Sequence, residues 1–122
     1  MKKVHAAVAA LAVLMLSACA KPLPSDKLAY AGEWRASGMA LLITPEGNVS
    51  YARKEGTTST TVNGPIKEFE GNDFSVGVGF ISTKFVVPEP PHEVAGEWKM
   101  TVDGVELTRV RTGVSDGEEV ET

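Results

Sequence analysis

Trp98-Lys99-Met100-Thr101-Val102-Asp103-Gly104-Val105-Glu106-Leu107-Thr108 is the stretch on which the fold turns. Apolar and polar residues alternate up to Asp103-Gly104 and alternate again after it, the period of a strand with one buried face. Asp-Gly between two such runs favours a two-residue type I′ turn, because both central positions need positive φ. That turn pairs Val102 with Val105 and Met100 with Leu107. All four then share a face, so turn chemistry and hydrophobic pattern agree on one register. The same register sets Trp98 opposite Arg109, within reach of a cation–π contact.

Upstream, the chain repeats this style. Short segments rich in Val, Ile, Thr, Phe, Tyr and Trp are separated by turn residues, and no apolar pattern at helical spacing persists. Strands are expected at Glu33 to Ser37, Met39 to Thr44 and Val49 to Lys54. Thr44-Pro45-Glu46-Gly47-Asn48 turns the second into the third. A threonine-rich strand from Thr57 to Val62 is expected to break at Asn63-Gly64-Pro65 and resume from Ile66 to Phe69. Phe74, Val76, Val78 and Phe80 should face one way, with Ser75, Gly77 and Gly79 behind them. Glycine inside a strand marks strong curvature or a close approach, and here the alternative to curvature is a shallow groove for a partner strand or ligand. Thr83 to Val87 follows, then Pro88-Glu89-Pro90-Pro91 reads as a loop. A short helical turn fits Leu28 to Ala31. The expectation is an all-β domain, a small antiparallel up-and-down meander of about seven or eight strands closing to a barrel, with a β-sandwich as the alternative.

The N-terminus has a different character. Met1-Lys2-Lys3 is a short basic start, Val4 to Met15 is apolar except for His5, and Leu16-Ser17-Ala18-Cys19 follows. These are the parts of a secretory signal, and the apolar run is shorter than the roughly 20 residues that span a bilayer. Cys19 is the sole cysteine, so an intrachain disulfide is excluded and its presence in an exported chain calls for another role. Leu-Ser-Ala-Cys behind an apolar core resembles the lipobox of bacterial lipoproteins. The resemblance implies cleavage before Cys19, a thioether-linked diacylglycerol on its sulfur and an acyl group, typically palmitate, on the new amine. More than one acyl chain makes membrane attachment stable. Ala20 stands where an aspartate would favour inner-membrane retention in the family's enterobacterial sorting pattern, so the resemblance implies the outer membrane facing the periplasm, with the inner membrane as the alternative. The chain then divides into a signal peptide (1–18), a lipidated, proline-containing tether (19–27), one β domain (28–112) and an acidic tail (113–122) with little to bury.

Loss of Lys2 and Lys3 leaves ten basic residues against sixteen acidic ones, a net charge near −6 on 104 residues. No basic patch that could neutralise phosphates is visible, so nucleic acid is not an expected partner. Catalytic chemistry is sparse. His92 is the one histidine after processing and sits among prolines, where a solvated side chain is the simpler reading. No His/Cys grouping has metal-ligand spacing, and the glycines match neither a P-loop nor a dinucleotide fingerprint. Glu33 and Glu97 would form a carboxylate pair only if their strands were neighbours. No enzyme activity, cofactor or metal is expected.

Gly32-Glu33-Trp34 recurs as Gly96-Glu97-Trp98, which reads as two similar strand starts. Gly-x-Trp on a first strand resembles the beginning of a lipocalin. In that family the tryptophan closes the barrel base and an arginine from near the last strand lies across it. The resemblance assigns these parts to Trp34 and to Arg109 or Arg111. Two functions are therefore expected in order: an envelope lipoprotein whose β domain binds a protein or maintains the envelope, and, as the alternative, a lipocalin-like carrier of a small apolar ligand.

Overall fold

The computed structural model describes residues 20–110. After a six-residue 3₁₀ turn (Ser25–Tyr30), nine strands follow: β1 (Gly32–Ala36), β2 (Met39–Ile43), β3 (Asn48–Glu55), β4 (Thr58–Glu70), β5 (Asp73–Val78), β6 (Ile81–Phe85), β7 (Glu89–Val94), β8 (Glu97–Val102) and β9 (Val105–Arg109). They form one antiparallel sheet in the order β6-β5-β4-β3-β2-β1-β9-β8-β7. Apart from β6 and β7, strands that follow one another in sequence lie side by side, and β9 returns to pair with β1. The topology is thus an up-and-down ring in which β6 and β7, the two ends of the order, are not paired. The all-β meander expected from the sequence is present, with nine strands in a curled sheet rather than seven or eight in a closed barrel.

The final hairpin has the register that its sequence specifies: Val102 pairs with Val105 and Met100 with Leu107. Asp103 and Gly104 both have positive φ (50° and 82°), as a type I′ turn requires. Two expected breaks differ. Asn63-Gly64-Pro65 does not end a strand. Residues 58–65 of β4 pair with β3, residues 66–70 pair with β5, and the register shifts at Ile66/Glu68. The glycine and proline mark a change of partner, which swings the β4–β5–β6 wing over the sheet. Pro88-Glu89-Pro90-Pro91 is likewise not a loop, because β7 begins at Glu89 and carries both prolines. It tolerates them as an edge strand with a register shift between Glu89 and His92, where missing N–H donors cost no ladder bonds on the open side.

One face of the curled sheet holds the core. Trp34, Leu41, Ile43, Met100, Val102 and Leu107 have no exposed surface. The wing adds aromatic side chains: Phe85 stands edge-on to Tyr51 (centroids 4.9 Å apart) and stacks on Phe74 (5.1 Å). Aromatic pairs at these separations contribute beyond their buried area. The turn before β1 closes this core with Tyr30, whose hydroxyl donates to the Asn72 carbonyl at 2.9 Å. Two aspartates fasten the crossing segment between β6 and β7. Asp103 Oδ1 accepts from the Val86 N–H (2.8 Å), and Asp73 Oδ1 accepts from the Val87 N–H (2.7 Å).

Candidate functional site

The chain's most distinctive side-chain arrangement lies where β9 passes between β1 and β8. Arg109 is the register partner of Trp34 on β1. Its guanidinium carbon is 5.4 Å from the Trp34 ring centroid and 5.0 Å from that of Trp98 on β8. One cation therefore serves two indole faces. The guanidinium also donates to the carbonyls of Ala31 (3.2 Å) and Ala29 (3.4 Å), so it ties the turn before β1 to the sheet. Trp34 Nε1 donates to the Tyr30 carbonyl at 3.0 Å, which satisfies the only polar atom of a fully buried indole.

The repeated Gly-Glu-Trp now has a physical meaning that its sequence did not disclose. The two tryptophans flank the same arginine from opposite sides, while the two glycines do different work. A Cβ at Gly32 (φ 138°) would come within 2.6 Å of Arg109 Cδ, so this glycine makes room for the arginine. Gly96 (φ 85°) has open space around it and, with Ala95 (φ 51°), turns β7 into β8. Arg111, the other arginine considered for this position, lies outside the described residues.

The remaining candidates are dispersed. Glu33 and Glu97 are not neighbours, because β9 separates β1 from β8. Each pairs along its own strand: Glu33 with Arg35 (2.7 Å) and Glu97 with Lys99 (3.5 Å). His92 is half-buried on β7, with Nδ1 against the Pro90 carbonyl at 2.9 Å, where it braces the irregular edge. Among the described residues no three His, Cys, Asp or Glu side chains are grouped to hold a metal ion.

Cys19 and the segment before it lie outside the described residues. The chain packs immediately beyond. The Leu23 N–H donates to the Pro45 carbonyl (3.0 Å), and the Leu23 side chain joins the core. A Cβ at Gly47 would strike the Lys21 carbonyl, so glycine is needed where the incoming chain crosses the β2–β3 turn. The proline-containing stretch expected as a tether is therefore laid against the domain from Lys21 onward.

Gly77 and Gly79 resolve differently from each other. A Cβ at Gly77 (φ 150°) would collide with the Ile81 carbonyl, so it is a close-approach glycine inside the β5–β6 hairpin, whereas Gly79 (φ 61°) is its turn. Phe74 and Val76 face the core as expected, but Val78 and Phe80 do not. The hairpin runs past the core and leaves Phe80 96% exposed at its tip. An open groove of about 370 Å³ lies beside it, lined by Lys21, Pro65, Ile66, Lys67, Gly77, Val78 and Gly79. Comparison with protein-family models, with curated proteins and with solved structures gave no match to this chain.

Proposed function

We propose that this chain is an exported bacterial lipoprotein, held at the periplasmic face of the outer membrane through acyl chains on Cys19. Its curled β domain is a non-enzymatic module that binds an envelope protein or helps to maintain the envelope. The observation that carries the reading is Leu16-Ser17-Ala18-Cys19 directly behind an apolar run too short to span a bilayer. The domain's compactness right after that point supports it: Leu23 is already in the core. Among the described residues no helix is long and apolar enough to cross a membrane. Mass spectrometry of the N-terminal peptide of the native chain should find Cys19 as the first residue, carrying a diacylglyceryl group. The Cys19→Ser chain should leave the membrane fraction. A native chain that begins at Met1 without lipid, or a Cys19→Ser chain that still sediments with membranes, overturns the proposal.

The second reading, a lipocalin-like carrier, is favoured by Arg109 lying across Trp34. The interior weighs against it. A void wide enough for water leaves accessible surface on its walls, and six core side chains between Trp34 and Leu107 have none.

A further inference from the structure

The β5–β6 hairpin tip is the chain's one concentration of exposed apolar side chains among the described residues: Val78 is 61% exposed, Phe80 96% and Ile81 65%, within four consecutive positions. Scattered single apolar residues on a surface need no explanation, whereas a contiguous projecting set does. Its location narrows what covers it. Val78 and Gly79 share their groove with Lys21, two residues after Cys19. Two peptide units reach about 7 Å at most, so Lys21 sets the start of the described chain next to this groove, a short backbone span after the residue proposed to carry lipid. The flanking charge fits a phosphate-bearing surface. Lys21 and Lys67 line the groove, and Lys67 Nζ donates to the Gly79 carbonyl at the tip. A projecting aromatic and aliphatic tip bordered by lysines is the make-up of an interfacial membrane contact, with the rings at the headgroup–acyl boundary and the ammonium groups at phosphate level.

Resting on the lipoprotein reading above, we propose that the β5–β6 hairpin is a second, non-covalent membrane contact: Phe80, Ile81 and Val78 insert into the leaflet that holds the acyl chains of Cys19, with Lys21 and Lys67 against lipid phosphates. Two points of attachment fix how the domain stands on the bilayer. The β5–β6 side faces the lipid, and β9, on the other side of the strand order, is turned to the aqueous space.

The test uses the full, membrane-anchored chain. With Cys19 acylated, Phe80→Cys supplies the single free thiol for an environment-sensitive fluorophore, and Glu106→Cys, at the exposed position of β9, supplies the control. Both are reconstituted in vesicles of phosphatidylethanolamine and phosphatidylglycerol. At position 80 the emission should shift to the blue, and lipids spin-labelled near the headgroup should remove most of it. At position 106 neither effect should occur. Equal, water-like emission at both positions overturns the proposal. So does a probe at 80 that stays water-like in vesicles and becomes buried only in native envelopes, since a protein would then cover the tip. Acylation is read separately from the mass of the N-terminal peptide. An acylated chain with a solvated tip sinks this inference and leaves the anchor standing, whereas an unacylated chain sinks the anchor itself.

Discussion

Gly32 and Arg109 show how much of this molecule rests on single side chains. Gly32 is the residue over which Arg109 reaches both indoles, and its φ of 138° lies where side chains are disfavoured. Gly32→Ala is expected to cost about 1–3 kcal/mol, the usual range for a strained backbone position, read as a lower denaturation midpoint. An unchanged midpoint would show that Arg109 moves aside freely. Trp98 is half-buried, packed against the core and beside the Arg109 guanidinium, so it contributes both buried area and a cation–π contact. Tyr30 adds a pH-dependent contribution to stability. Burial, then the carboxylates of Asp73 and Asp26, push its hydroxyl from 10.0 up to about 12. The neutral phenol is the form the folded state accepts. Its stabilisation is therefore complete below pH 10 and is lost as pH rises from 10 towards 12. Tyr30→Phe should flatten this alkaline part of the stability profile and cost about 1 kcal/mol at neutral pH for the lost hydrogen bond to Asn72. A wild-type profile that is already flat between pH 10 and 12 would contradict this account.

At the scale of elements, local sequence specifies the final hairpin, whereas the ends and partners of other strands depend on the rest of the sheet. The β8–β9 hairpin follows from Asp103-Gly104 and from alternation alone. Gly104→Val should cost about 1–3 kcal/mol through backbone strain, because nothing lies near the added Cβ and the loss is all in φ; unchanged thermal unfolding would refute the turn type. β7 was illegible as a strand. Prolines argue against strands in general, but only a central strand needs both rows of ladder bonds, and nothing local announces that a segment is an edge. β4 hides its continuity for a related reason. Asn63-Gly64-Pro65 carries the composition of a turn, and whether the backbone turns back or merely changes partner depends on β5, which arrives later in the chain. The tip of β5–β6 shows the same limit. Val78 and Phe80 continue the alternation of Phe74 and Val76, yet the strand outruns the core, and periodicity cannot report where the core stops.

For the whole molecule, the described core is packed so that Trp34, Leu41, Ile43, Met100, Val102 and Leu107 keep no exposed surface. Leu41→Ala should cost about 2–5 kcal/mol, as a methylene deletion in a packed core does, and the wild-type chain should not brighten an apolar dye such as N-phenylnaphthylamine. Saturable micromolar dye binding by the wild type would instead favour the carrier reading. The sequence by itself determined the β class and the register of the last hairpin, because each depends on alternation and turn chemistry within a few residues. It also carries the whole of the export and lipidation reading, a linear motif that needs no fold. Only the tertiary structure decided that β9 closes back on β1, that one guanidinium serves both tryptophans, that β6 and β7 remain the unpaired ends and that Phe80 projects from a tip whose Val78 and Gly79 share a groove with Lys21. These facts depend on which distant strands meet, and long-range pairing is set by the fit of the whole buried face rather than by any short stretch of chain.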